Sequence, residues 1–426
     1  MSRPGSPAAA GLAPRFAALH SVDYRRYFIY SLLAQTADNI EHVISYWVIF
    51  QAFHSPTLAG FAVISHWVPF LLFSVYTGTL ADRYDCRKLI QAGQFLFMLA
   101  SVAWGLLFLT GTLQMWHAVA ILLIHGAAGV VGGPATQLIL HDMVGTPQLQ
   151  SAIRLNASSR NLSILLGPAV GGGLMLLLGP AWGLLANVLI YLPLTIFLML
   201  LPYTGHGQRV QRPARSGFGL TEPFRIFAEV RADRRLGTMI LLGGATSFFV
   251  GNAFQAQMPE YAHHLGADDA GGWYSALLAA NAVGAVVGAV LLESLNLLRP
   301  SARTATICAG AWGVTMALFA LTANYGAAIA LLAVAGTLNV AFTSMAQTLV
   351  QVLAPARLRG RVVGLFNTAV LGLRAGSGLT VGVLGAVIDV HWSLAFSAGA
   401  VVVTAIVLFV REARRADLDE GRPAIG

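Results

Sequence analysis

The chain has 426 residues, 56% of them hydrophobic and only 10% charged. A soluble domain carries about 25% charged residues, so this composition excludes a surface that meets water throughout and points to a lipid-solvated protein. The formal charge of +8 suggests a nucleic-acid partner by magnitude alone, but its placement along the chain argues against one.

Apolar runs long enough to cross a hydrocarbon core of about 30 Å recur from end to end. We place twelve spans at 26–52, 57–80, 89–111, 115–142, 152–178, 181–202, 236–260, 271–295, 303–323, 325–350, 361–387 and 391–410. Helix is the only reading, because the runs lack the roughly ten-residue alternation of a barrel and backbone in lipid must satisfy itself. Residues 1–24 form a tail without the apolar region that precedes a cleavage site, so no removable signal is expected.

The first span contains QTADNIEH at 35–42. Gln35, Asp38, Asn39 and His42 share one helical face, and Tyr46 extends it, while Glu41 is offset. A charge at the bilayer centre costs about 2.5–3.5 kcal/mol on insertion scales, so this face must meet a water-filled cavity or a polar partner. Two isolated basic residues are available, Arg160 in the fifth span and Arg374 in the eleventh. One reading is proton coupling: protonation of Asp38 or Glu41 releases an Arg, the helices rearrange, and His42 shares the proton. The other is a static pair, with Glu41 on Arg160 and His42 as a packing residue.

The second and third spans are joined by GTLADRYDCRK at 78–88. This resembles the cytoplasmic motif of the major facilitator superfamily, Gly-x-x-x-Asp-Arg-x-Gly-Arg-Arg/Lys, with Gly78, Asp82, Arg83, Arg87 and Lys88 in the matching positions. Asp85 stands where the family usually has Gly. The resemblance implies an all-α membrane protein, two six-helix bundles around a central cavity, working by alternating access. The motif itself would be a gate, its charge-assisted bonds forming in one conformation and breaking in another.

His66 and His125 are lone histidines in the second and fourth spans, read either as cavity lining or as satisfied core residues. Drug/proton exporters of the superfamily usually carry an Arg in the fourth span; here His125 lies near that place and no Arg does. Gln137 is a weaker cavity candidate. In the fifth span, SILLGPAVGG (163–172) resembles the antiporter motif through Gly167, Pro168, Gly171 and Gly172, with Ser163 replacing its first Gly. Small residues at this spacing also serve ordinary helix packing.

Residues 203–235 interrupt the apolar pattern with Arg, Gly and Pro, and six spans lie on either side. FRIFAEVRADRR within them fits either an amphipathic helix on the membrane surface or a solvated linker. The halves are 25–202 and 236–411, with a second tail at 412–426. A shift of 211 residues sets Asn156 on Asn367, Gly167 on Gly378 and Gly171 on Gly382, the parallel repeat of one large transporter class. In the seventh span Asn252, Gln255 and Gln257 are substrate-cavity candidates, and HH at 263–264 with Asp268 and Asp269 reads as an outer loop.

The basic residues concentrate in alternate loops and both tails, while the opposite loops lack Lys and Arg. That asymmetry sets topology and places both termini in the cytoplasm, with no nucleic-acid partner. QVLAPARLRGRVVGLFNTAVLG at 351–372 is similar to the enterobactin exporter and macrolide efflux subgroup. The function expected is therefore proton-driven export of a small amphiphilic molecule such as a siderophore, with macrolide or multidrug efflux, or a non-transporting receptor, as alternatives. No phosphate-binding Gly-x-x-x-x-Gly-Lys-Ser/Thr occurs, so a proton gradient rather than ATP is the expected energy source. No nucleophile with a base partner stands out, so no enzyme activity is expected. No Cys/His run has metal-ligand spacing, and we expect no metal, no cofactor and a monomer in a bacterial inner membrane.

Overall fold

The computed structural model describes residues 16–207, 227–229, 233–266, 271–295, 301–355 and 359–420. Among them the chain is helical without a strand. Eleven segments are long and apolar enough to cross a membrane. The twelfth is α1 (Val22–Phe53), whose 32 residues suffice in length but whose apolarity is diluted by the polar stretch at 35–42.

The helix starts follow from local chemistry. Ser21 caps α1, and Ser55 with Pro56 at the first turn caps α2 (Pro56–Arg83). Asp85 caps α3 (Cys86–Leu109). Residues Met115–Leu178 run as one hydrogen-bonded stretch, interrupted where Gly145 leaves the helical region at φ 67° and ψ 171°. The loop expected between the fourth and fifth spans is therefore a glycine bend, a conformation that costs other residues strain, with Pro147 two positions on. The spans on either side are α4 (Met115–Leu149) and α5 (Ser151–Leu178). α6 (Pro180–Leu200) completes the first six.

The second six open with α7 (Arg234–Phe249), which breaks at Gly251 (φ 43°) and continues as the short turns Ala253–Ala256 and Met258–His264. α8 (Gly272–Leu295), α9 (Ala302–Leu321) and α10 (Tyr325–Leu353) are continuous. α11 runs from Arg359 to Ile388 with π-helical turns at Thr368–Gly372 and Gly378–Val383, flanking Arg374. α12 is Val390–Glu420. The expected surface helix within 203–235 falls largely outside the described residues, as do Asp268 and Asp269.

Within the first half, α1 packs on the α4–α5 run and α6, and α3 packs on α4 and α6; within the second, α8 pairs with α10 and α9 with α12. The halves meet along two seams, α2 against α11 and α5 against α8. On the first seam glycine meets glycine: a Cβ on Gly60 would lie 2.7 Å from the Gly382 Cα and 2.5 Å from the Gly378 carbonyl oxygen. On the second, a Cβ on Gly172 would lie 2.7 Å from the Ser275 Cβ. Gly60 shifted by 211 falls on Gly271, which adjoins Trp47 and Met175 across the second seam.

Two hydrogen bonds join the halves among the described residues. The Tyr274 hydroxyl donates to the Val43 carbonyl (2.9 Å), and the Gln257 amide donates to the Pro56 carbonyl (2.8 Å). Trp47 and Tyr274 stack with centroids 5.6 Å apart. All of this lies at the end whose loops lack basic residues. Toward the basic-loop end Leu72 and Tyr76 of α2 are exposed and no hydrogen bond joins the halves among the described residues. By its bonds, the structure is fastened at one end and left open at the other.

If the Gly60 seam holds the closed end, Gly60→Val will force it apart at a cost of about 1–3 kcal/mol. The expected outcome is a lower Tm together with faster thiol labelling of a Gln257→Cys reporter, whose parent side chain is 2% exposed. Unchanged labelling would show that the seam closes without the glycine contact.

Candidate functional site

Glu41 is 1% exposed inside the first bundle. Its offset on the helical wheel turns it away from the cavity face and toward α3, α4 and α6. An unpaired carboxylate there costs several kcal/mol, and the neighbours supply the compensation. His125 of α4 donates from Nδ1 to Glu41 Oε1 at 2.7 Å, and the Ser101 hydroxyl of α3 donates to Oε2 at 2.5 Å. Asn187 of α6 donates to the Ala37 carbonyl (2.9 Å) and to Ser101 (3.4 Å), tying a fourth helix to the group.

The other ring nitrogen of His125 faces Asp38, with Nε2 3.1 Å from Oδ1. Asp38 and His42 are half-buried, and His42 donates from Nδ1 to the Asp38 carbonyl at 2.8 Å. His66 of α2 completes the group: its ring centroid is 4.8 Å from that of His42 and 5.4 Å from that of His125. Gly126 explains the approach of α4 to α2, because a Cβ there would overlap the Ser65 carbonyl next to His66. Phe97 meets the His125 ring edge-on at 4.9 Å and stacks on Tyr191, closing the lipid side. A small cavity lined by His42, Ser45, Tyr46, Ala62, Leu122 and His125 adjoins the cluster.

The expected pairing of carboxylates with arginines is not what the structure has. Arg160 lies within electrostatic range of Asp38 but is exposed toward the open end and forms no ion pair with it. Arg374 bonds the Val370 carbonyl (3.2 Å), and its guanidinium sits over the Trp67 ring of α2 at 5.0 Å. The physical reason is placement: both arginines occupy the helices that border the opening, whereas Glu41 points into its own bundle. His125, not an arginine, faces both carboxylates.

Other candidates divide in the same way. Gln35 donates to Ser159 of α5 (3.3 Å) and Asn39 to Ser163 (3.4 Å), so these amides hold α1 on α5 rather than line the cavity. Gly167 and Gly171 admit Asn39, Ile40 and Val43 of α1, and Gly172 admits Ser275; the glycines of the fifth-span motif sit in a packing surface, and Pro168 beside them is half-buried. Gln257 is spent on the Pro56 carbonyl of the closed seam. Asn252 and Gln255 sit half-buried at the break in α7, and Gln137 is exposed on α4.

In the α2–α3 turn, the departure from the superfamily pattern has a role. Asp85 binds the Arg87 guanidinium at 2.7 Å, and Arg87 Nη1 donates to the Leu201 carbonyl at 2.5 Å. Bonding to Arg87 holds the Asp85 carboxyl below the usual carboxylate range, so this clasp is present at neutral pH and is lost only as the solution is acidified. A Cβ on Gly78 would meet nothing within 4 Å, and Asp82, Arg83 and Lys88 are exposed without a bonded partner among the described residues.

A model of the family described as transmembrane secretion effector matches residues 13–423. The chain belongs to that family, a branch of the major facilitator superfamily, and it is a membrane transporter rather than an enzyme. Among curated relatives, the enterobactin exporter EntS of Shigella boydii is 25% identical over 368 residues, 84% of each chain. The staphyloferrin A transporter of Staphylococcus aureus is 23% identical over 146 residues, 34% of this chain and only 37% of that relative. Among solved structures, an inward-facing, unoccupied bacterial homologue of the human lysosomal transporter Spinster superposes with a TM-score of 0.70 at 13% identity, covering 97% of this chain and all of that one. The nucleoside transporter NupG gives 0.70 at 15%, covering 91% and 98%. These structural likenesses establish the fold of this family member.

Sequence reasoning found Asp38, Glu41 and His42 through the cost of charge in lipid, and missed Ser101 and Asn187 as their supports. The signal available for the rest of the cluster was His66 and His125, histidines placed well inside the second and fourth spans. Glu41→Ala would strand the His125 N–H and the Ser101 hydroxyl, at an expected cost of about 3–5 kcal/mol. Ser101→Ala, which leaves His125 on Glu41, is expected to cost about 1–3 kcal/mol. Thermal unfolding in detergent ranks the two, and equal losses would show that the His125–Glu41 bond adds nothing.

Proposed function

We propose that this transporter is a proton-coupled exporter of siderophore-type molecules. In this reading it lies in a bacterial inner membrane with both termini in the cytoplasm, as the basic loops favour, and its open end faces inward. The observation that carries the proton reading is His125 held between Glu41 and Asp38, one carboxylate sealed and the other within reach of the cavity.

The mechanism follows from these bonds. With Asp38 ionised, the imidazolium of His125 is attracted to both carboxylates and α1 is drawn onto α4. A proton reaching Asp38 from the cavity cancels half of that attraction. The next residues of α1 carry the effect: His42 bonds the Asp38 carbonyl, and the Val43 carbonyl accepts from Tyr274 of α8. Loosening α1 therefore bears on one of the two hydrogen bonds between the halves, which is the link that alternating access needs. The cluster and the seam are adjacent along one helix.

The cargo reading rests on charge. Arg374, seated over the buried Trp67 ring, and the exposed Arg160 offer cationic groups to an anionic molecule. The names of two relatives, an enterobactin exporter and a staphyloferrin A transporter, support the same class.

Purified protein in liposomes with an imposed pH gradient tests both parts against catecholate and hydroxamate siderophores, macrolides and lipophilic cations. We expect gradient-dependent flux of a siderophore, and a loss of uphill flux of about tenfold or more in Asp38→Asn with intact insertion. Flux of macrolides or lipophilic cations alone would replace the cargo reading. Gradient-driven flux retained by Asp38→Asn would remove Asp38 from the coupling step, and stoichiometric binding without flux would favour a receptor.

A further inference from the structure

We propose that His42, His66, His125 and Asp38 form a binding site for a divalent first-row transition metal ion, of which zinc is the closest fit. One ring nitrogen from each histidine lies within 4.8 Å of one from each of the others. The histidines come from α1, α2 and α4, which is why no spacing in the sequence announces the site.

Three atoms single out the centre of this group. Asp38 Oδ1, His66 Nδ1 and His125 Nε2 are all buried and have no hydrogen-bond partner among protein groups. Asp38 Oδ1 and His125 Nε2 face each other at 3.1 Å without the alignment of a hydrogen bond, so a metal here would take the place of the proton that makes them an ion pair, and it binds the neutral His125 ring. Buried polar atoms are almost always satisfied, and three such atoms on one cluster describe a ligand shell. His42 adds a fourth donor, since its Nδ1 is engaged with the Asp38 carbonyl and its Nε2 is left over.

The surroundings match what metal-bound histidines need. A ligating imidazole is normally oriented by a carboxylate or carbonyl on its other nitrogen. Glu41 does this for His125 at 2.7 Å, and Ser101 in turn fixes Glu41; the Asp38 carbonyl does it for His42. Three imidazoles and one carboxylate suit zinc, cobalt or nickel, whereas magnesium and calcium prefer all-oxygen shells. Bonds of about 2.0–2.2 Å to the metal would draw the nitrogens inward by roughly 1 Å, a movement that rotation of His42 and His66 on the cavity wall can supply. His42 and His66 are half-buried, and the small cavity lined by His42 and His125 adjoins the site.

This inference concerns the same cluster as the proton reading but stands on ligand geometry, so it holds or fails independently of any flux. The test is cobalt titration of tag-free protein in detergent at one fixed pH, followed by visible absorption, with zinc displacement by calorimetry. We expect one ion per chain and the intense bands of a tetrahedral site. His66→Gln and His42→Gln are each expected to weaken binding by about tenfold or more, and Glu41→Gln, which touches no metal, by about 10–100-fold. His391→Gln, at the separate pair where His264 and His391 meet at 2.7 Å, is the control expected to bind as the parent does. No saturable binding in correctly folded parent protein would overturn the proposal. So would binding unaffected by His66→Gln and His42→Gln but lost in His391→Gln, which would place an adventitious ion at the other histidine pair.

Discussion

Burying the Glu41 carboxylate constrains this molecule more than any other single group. It lies inside a bundle that faces lipid on its outer side, and nothing but protein is available to offset its charge. His125, Ser101 and, through Ser101, Asn187 must therefore be present, and they come from α4, α3 and α6. Four helices of the first bundle are registered by one side chain. The second half has no counterpart among its described residues, and the bonds between its helices are mostly single hydroxyls or amides on backbone carbonyls, such as Ser247 on Val370, Tyr261 on Val390 and Asn281 on Leu332. The first bundle is thus the electrostatically specified one, and the second is held by packing of small and aromatic residues.

That asymmetry suits a machine with one titrating half. α1 carries charge on one part of its surface and, one residue past His42, the carbonyl that Tyr274 of α8 holds. The second half contributes α11, where two π-helical turns bracket Arg374 and widen the helix on the seam with α2. π turns recur at functional sites, where they aim a side chain that a regular helix would place elsewhere. Here the side chain so aimed is the guanidinium over Trp67.

Much of the fold was legible in the sequence because lipid imposes so strict a rule: apolar, helical and about 20 residues long. Boundaries failed where backbone geometry broke that rule, at the Gly145 bend and in the interrupted α7 and α11, and at the end of α12, which runs on to Glu420 past the apolar span. The site was legible in part. Asp38, Glu41 and His42 stand out as charge where charge is costly. Their partners did not, because opposite sign was the only criterion available and it selected Arg160 and Arg374. What decides partnership is which helices adjoin in three dimensions, and the direction in which Glu41 leaves α1. Gln35, Asn39 and Gln257 show the same blindness: a polar residue in a span reads identically whether it meets substrate or a neighbouring helix.

The contact of Gly60 with Gly378 and Gly382 has a mechanical meaning of its own. No side chain from these positions bridges the gap, so backbone touches backbone through dispersion forces that vanish within an ångström or so of separation. Such a joint has no intermediate positions to rest in: it is shut, or it is parted. The glycine contact of the α2–α11 seam is accordingly a latch with two settings rather than a hinge that swings by degrees, and the one charged contact beside it, Arg374 over Trp67, must part when it lets go.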